Sequence, residues 1–433
     1  MSKTPPGKIG IWTSTALVVG NMIGSGVFLL PASLGAFGTI GLLGWIGSSA
    51  GAVCLALLFS HLSRTIPNAL GGPYAYTRVG LGDFAAFLVA WGYWISIWCT
   101  NAAIAVAFVS YSTVFVPALA TNSLLSVATG LGAVWFLSWI NTVGIKEAGA
   151  VQLITSILKI IPLMAVSVVG LFYIEAKNFE MFNISSVSNF SAVTATATLT
   201  LFAFLGLESA TIPTGNIHEP EKTIPRATLY GTLLTIIVYV IGSVTVMGMI
   251  PADVLKDSNA PFADAAAIIW GEGARKVVAI GAIVSTFGAL NGWILLQGQM
   301  PMAASRDRLF PEIFKRENKK GIPWVGIVIS SVLISGLMMM NFTKGLTDTF
   351  TFMILLTTIT VLVPYLFSAA SYGILVLQNK YWKKESLSKI ILVTLTIFFS
   401  LWAMIGSGQE TVYWGFIAIV SGIPFYVWMK RAQ

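Results

Sequence analysis

The chain has 433 residues, of which 56% are hydrophobic and 10% charged, against about 25% charged in a typical soluble domain. That balance excludes an ordinary soluble enzyme, a disordered chain and a secreted disulfide scaffold. Apolar runs of membrane-crossing length recur from end to end. A net charge of +8 raises nucleic acid as a partner, but the basic residues fall between the apolar runs, so no nucleic-acid partner is expected.

Twelve transmembrane spans are predicted, near 11–36, 40–61, 84–110, 125–144, 149–173, 193–216, 227–250, 277–300, 323–341, 350–377, 389–407 and 411–429. Each approaches the length of about 20 residues that a helix needs to cross the hydrocarbon core. The first follows Lys3 and Lys8 but runs past a signal-peptide core without a small-residue cleavage site, so it is read as a span. Nineteen Lys and Arg residues fall at the two termini and in the loops after the even-numbered spans. Five fall in the opposite loops, and Lys159 lies within a span. This bias places both termini in the cytoplasm. The loop carrying Arg306, Arg308, Lys315, Arg316, Lys319 and Lys320 reads as an anchor on anionic lipid.

Span 1 contains GNMIGSGVFLLP, from Gly20 to Pro31. Three glycines, an asparagine and a serine so close together disfavour a continuous helix. Broken helix at membrane depth is tolerated only where protein buries it or where it lines a cavity. The N–H groups that open a half-helix suit a carboxylate, and the carbonyls freed on the other side suit an ammonium. The glycines alone are equally compatible with close helix packing. Span 3 reads WGYWISIWCTNAA, with Tyr93, Ser96, Ile97 and Asn101 within an arc of roughly 140° on a helix. Span 5 holds Lys159 in TSILKIIP.

Span 6 contains LFAFLGLESA, with Gly206 in mid-span and Glu208 beside it. A second interrupted span five positions after the first is the pattern of an inverted repeat. A charge at mid-bilayer costs roughly 2.5–3.5 kcal/mol on insertion scales, so Lys159 and Glu208 are functional candidates, and either could carry a proton. Trp293 in span 8 follows Asn291 and Gly292, and Thr357, Thr358 and Tyr365 line span 10. Such aromatic faces pack in most proteins but also hold cations. Cys54 and Cys99 have no metal or redox spacing and read as small buried hydrophobes. The two histidines, His61 and His218, are far apart. No metal and no cofactor is expected.

GNMIGSGVFLLP, GGPYAYTR (Gly71 to Arg78), LFAFLGLESA, IPRAT (Ile224 to Thr228), MGMIP (Met247 to Pro251), Gly292–Trp293 and LVPYL (Leu362 to Leu366) together resemble the amino acid–polyamine–organocation superfamily. Within it they are most similar to the basic amino acid and polyamine antiporters, the arginine/agmatine exchangers among them. The resemblance implies an all-α membrane protein of twelve transmembrane helices with the LeuT-like 5+5 inverted repeat and broken helices 1 and 6. Residues 1–433 would form one transporter domain. Residues 1–174 and 193–377 would be the two repeats, and 389–429 two additional helices. It further implies alternating access around one central site and suggests a homodimer.

Residue by residue, the resemblance makes Ser25 and Gly26 the backbone that holds the substrate carboxylate. The carbonyls of Met22, Phe202 and Leu205 would receive the α-amino group. Asn101, Trp293 and Thr357 would supply side-chain contacts. Ile23 and Gly24 complete the unwound segment, and Ser96 and Ile97 lie near the distal end of the pocket. Tyr93, Glu208 and Tyr365 would form a gate. The chain departs from the exchangers in two respects. Phe202 replaces a tryptophan that covers the substrate, and Lys159 replaces an uncharged residue. A lysine there resembles that of proton-coupled relatives, where its ammonium occupies the place of a sodium ion.

The expectation is a secondary active amino acid transporter of the bacterial inner membrane, not an enzyme, that exchanges or imports a cationic amino acid or its amine. The alternative is a proton-coupled carrier of broad or neutral amino acids acting through Lys159. More distant is an amino acid sensor that does not transport. An intramembrane enzyme would need paired His or Asp, and a primary pump would need a GxxxxGK[ST] loop. The sequence has neither.

Overall fold

The computed structural model describes residues 10–66, 72–143, 160–208, 217–341, 343–378 and 384–431. Lys159 and the first half of expected span 5, and residues 209–216 at the end of expected span 6, lie outside them. The described chain is helical. Its principal elements are α1 (Ile11–Met22), α2 (Ser25–Gly35), α3 (Gly41–Thr65), α4 (Pro73–Ser112), α5 (Ser123–Val143), α6 (Ile160–Tyr173), α7 (Asn189–Leu201) and α8 (Pro220–Met249). These are followed by α9 (Pro261–Trp270), α10 (Glu272–Arg306), α11 (Trp324–Met340), α12 (Leu346–Gln378), α13 (Lys384–Gly406), α14 (Gln409–Val420) and α15 (Gly422–Arg431). Nine described segments are long and apolar enough to cross a membrane, counting α1 with α2 and α14 with α15. The chain is a multi-pass membrane protein.

Two of the twelve expected spans, 149–173 and 193–216, are described only in part. A third, 323–341, is a helix of 17 residues. Two short helices fall where loops were expected. The first turns of α4, Pro73 to Leu81, are set off from the rest by Gly82 (φ 80°, ψ −176°). Helix α9 likewise meets α10 at Gly271 (φ 81°, ψ −176°). Only glycine adopts that backbone region readily, and a methyl at either position would meet nothing within 4 Å. The glycines are therefore there for conformation rather than for packing.

The centre of the protein is α4 packed along α12 and α10, with α3, α7 and α8 against α1 and α2. Helices α13 to α15 lie at the edge, where Phe398, Phe416 and Trp428 are exposed. In lipid such apolar faces are solvated. The inner helices are apolar on every side, as expected of a buried membrane span. Their Ser and Thr residues are tolerated because most donate one turn back to their own helix, as Thr100 does to the Ser96 carbonyl at 2.7 Å and Thr360 to the Leu356 carbonyl at 2.9 Å.

Small residues set the closest approaches. A methyl on Gly44 would lie 2.5 Å from the backbone carbon of Thr196, so α3 and α7 touch through backbone. Helix α2 contains Pro31, which frees a carbonyl one turn back. Beside that turn, Tyr111 Oη donates to the Phe28 carbonyl at 2.8 Å.

Candidate functional site

The two interrupted helices meet. Helix α1 stops at Met22, and α2 begins at Ser25. Ile23 (φ −74°, ψ 84°) and Gly24 (φ −122°, ψ −128°) lie between them in non-helical backbone. The start of α2 has no side-chain cap, so Ser25 and Gly26 open a helix whose first N–H groups lack intrahelical acceptors. Ser25 Oγ is buried with no hydrogen-bond partner among the described residues. Glycine at 26 is a matter of space. A methyl there would stand 3.2 Å from Ala203 Cα and 3.4 Å from the Phe202 ring.

On the other side, α7 tightens into a 3-10 turn over Phe202–Phe204. The chain then extends at Leu205 (φ −64°, ψ 137°) and reverses at Gly206 (φ 97°). A methyl on Gly206 would lie 3.3 Å from Asn21 Cβ and 3.5 Å from the Trp293 ring. Trp293 of α10 therefore stands against the second break, where Gly206 also meets the end of α1, while Ala289 of α10 lies against Gly24. The phenyl ring of Phe202 meets Phe350 edge-on at 6.0 Å.

The carbonyl of Met22 accepts from the Gly24 N–H at 2.8 Å and from Tyr239 Oη of α8 at 2.5 Å. Both of its lone pairs are thereby engaged. Tyr239 is one of the residues that sequence reasoning missed. A buried tyrosine in an apolar span is its only signal.

Glu208 is fully buried. Tyr93 Oη of α4 donates to its Oε1 at 2.8 Å, and Tyr365 Oη of α12 donates to its Oε2 at 2.9 Å. Three helical regions are thus tied through one carboxyl group. The three residues expected to act together do meet, across 115 and 157 positions of sequence.

Asn101 Nδ2 donates to Gln297 Oε1 at 2.7 Å, another partner the sequence did not announce. Gln297 follows Trp293 by one turn on α10, one of three amides in that span with Asn291 and Gln299. Ser96 Oγ donates to the Tyr93 carbonyl at 2.7 Å, and Thr357 Oγ1 to the Met353 carbonyl at 2.9 Å. In this conformation both hydroxyls serve their own helices. Ile97 is buried beside them. Lys159 lies outside the described residues, so its neighbours are not placed.

A groove of about 1070 Å³ lies elsewhere, lined by Trp91, Trp94, Trp98, Phe310, Phe314 and Trp428, among others. It includes none of the expected substrate contacts. Outside the spans, Lys222 hydrogen-bonds Glu219 at 3.0 Å and holds that carboxyl below its ordinary range.

The family model described as amino acid permease matches residues 9–428. A protein of Bacillus subtilis (strain 168) with the provisional name arginine/ornithine antiporter is 32% identical over 392 residues, 84% of this chain and 83% of that one. The putrescine transporter PotE of Escherichia coli (strain K12) is 29% identical over 429 residues, 98% of this chain and 97% of its own. The cadaverine/lysine antiporter of the same strain is 33% identical over 334 residues, 77% and 74% of the two chains.

Proposed function

The chain belongs to the amino acid permease family, and on that premise we propose that it is a secondary transporter that exchanges a cationic amino acid for a related amino acid or amine. The observation that carries the reading is the pair of helix breaks facing each other. An uncapped helix start at Ser25 and Gly26 lies against the 3-10 turn of Phe202 and Ala203. A substrate carboxylate binds the first N–H groups of α2, where the helix dipole favours negative charge. The α-amino group binds the carbonyls of the second break, at Phe202 and Leu205. With the Met22 carbonyl already engaged, those two are the better acceptors. The substrate side chain extends toward Asn101, Trp293, Ile97 and Thr357, under the ring of Phe202.

Transport proceeds by alternating access, with Tyr93, Glu208 and Tyr365 as a gate that forms on one side of the substrate. The chain is one transporter domain of twelve helices. Residues 1–174 and 193–377 are inverted repeats, followed by two additional helices at 389–429. Two pairs of features support this division. Ile23–Gly24 matches Leu205–Gly206 as a helix break, and Gly82 matches Gly271 as the joint between a short helix and a long one. The 19-to-5 distribution of basic residues supports cytoplasmic termini, and an inner-membrane location fits the bacterial relatives.

The relatives are named for exchange of basic substrates, arginine/ornithine and cadaverine/lysine, and PotE for transport of putrescine. This favours a cationic substrate here. A second reading is import of neutral amino acids coupled to protons through Lys159. It rests on a lysine within an apolar span and on the smaller lid of Phe202, whose face holds a cation less strongly than an indole.

Purified protein in liposomes separates the readings. Labelled arginine entering only vesicles preloaded with arginine, ornithine or agmatine is the expected result. Gradient-driven uptake into empty vesicles, lost in Lys159→Ala, replaces exchange with proton symport. Binding of arginine with no flux under either condition overturns transport and leaves a sensor.

A further inference from the structure

We propose that Gln297 is a positioning residue that sets substrate selectivity, by turning the Asn101 side chain so that its amide oxygen is presented to a hydrogen-bond donor at the end of the substrate side chain. The inference rests on the cationic-substrate reading above and deepens it. The backbone carbonyl oxygen of Ile327 can only accept. Gln297 Nε2 lies 3.1 Å from the backbone carbonyl of Ile327 and 3.0 Å from Ser331 Oγ. A carbonyl cannot donate, so the nitrogen of Gln297 must point there and its oxygen must point away. Ser331 strengthens the assignment, because its hydroxyl donates to the same Ile327 carbonyl at 2.8 Å and offers Gln297 its lone pairs.

Gln297 Oε1 then faces Asn101 at 2.7 Å. Two amide oxygens cannot bond each other, so Asn101 must present its nitrogen. Its Oδ1 is left over, fully buried and without a partner among the described residues. A backbone carbonyl on α11 therefore decides which way an amide on α4 points.

An unpaired buried acceptor is costly, and the cost is relieved when a donor arrives. Asn101 lies one turn from Ile97 on α4, and Gln297 one turn from Trp293 on α10, so the oxygen sits beside the pocket proposed above. The ligand chemistry that fits is a side chain ending in N–H donors, such as a guanidinium or ammonium. A purely apolar side chain leaves the oxygen unpaired. Gln297 need not touch substrate to have this effect.

The test uses the full-length protein in liposomes, with arginine, citrulline and norleucine competing against labelled arginine. Citrulline keeps the N–H donors and loses the charge, whereas norleucine has neither. On the unaltered protein the expected order of affinity is arginine, then citrulline, then norleucine, with norleucine at least tenfold weaker than arginine. Equal affinities for norleucine and arginine overturn the proposal whether or not any variant folds.

In Gln297→Met the acceptor is gone and Asn101 is free to turn. The arginine-to-norleucine ratio should fall about tenfold, and Asn101→Leu should lower it as far. The double variant should show no further loss, because both substitutions remove one device. An unchanged ratio in Gln297→Met, or losses that multiply in the double variant, overturns the positioning role. Complete absence of flux in the unaltered protein refutes the transporter reading instead, a result separable from any change in ratio.

Discussion

Replacing Tyr365 by phenylalanine removes one hydroxyl and little else, and its effect can be worked from the geometry. Tyr365 and Tyr93 each donate to a different oxygen of Glu208, at 2.9 and 2.8 Å, with all three side chains buried. The variant leaves Glu208 Oε2 without that donor. Losing a buried hydrogen bond to a carboxyl group costs about 1–3 kcal/mol, which is about a 5- to 150-fold change in the equilibrium that the bond supports. If the bond exists only in the closed gate, that factor falls on the closed state and shifts the population toward the open one.

The assay is a double-mutant cycle of Tyr365→Phe with Glu208→Leu, read as the initial rate of exchange in liposomes and as the thermal midpoint in detergent. Each single variant should change the exchange rate at least fivefold. In the Glu208→Leu background, Tyr365→Phe should have almost no further effect, since the acceptor is already gone. Strictly additive losses would refute the reasoning, because they would mean that the tyrosine and the carboxyl group act independently.

Other consequences follow from particular contacts. Gly44→Ala should lower the melting temperature and expression strongly, because its methyl would stand 2.5 Å from Thr196 backbone, and overpacking of this kind costs about 1–3 kcal/mol. Gly82→Ala meets no neighbour, so its cost should come only from the positive φ and be nearer 1 kcal/mol, seen as a smaller shift in the same melting experiment. Tyr74 Oη donates to Asp307 Oδ2 at 2.9 Å and ties the first turns of α4 to the end of α10. In Tyr74→Phe, hydrogen exchange over residues 73–81 should quicken severalfold, while exchange in α12 away from the contact stays as it was. Phe202→Ala should weaken arginine binding by about 0.5–2 kcal/mol through loss of the aromatic face over the cation, measured by competition at equilibrium.

Much of this protein was legible in the order of its residues. Hydrocarbon admits only long apolar helices, so a multi-pass helical membrane protein shows up as composition. Breaks in such helices are costly, so the glycine cluster at Gly20–Gly26 and the pair Gly206 and Glu208 stand out against their surroundings. For the same reason Tyr93, Asn101, Trp293 and Tyr365 could be picked out as polar or aromatic exceptions in apolar runs. The helices at Pro73–Leu81 and Pro261–Trp270 were not legible, because the glycines that set them off look like ordinary loop residues until their backbone angles are known.

Tertiary structure alone decided which of these groups meet. A helix that is apolar all round has no polar stripe to say which of its sides meets protein and which meets lipid. The register of α4 against α10 and α12 is set by packing of small residues and by bonds across more than a hundred positions of sequence. Gln297 shows the consequence. In the sequence it is one amide in an apolar helix. In the fold, a carbonyl of Ile327 on one side and an amide of Asn101 on the other fix the direction of both side chains. That direction depends on three helices at once, and no local pattern of residues contains it.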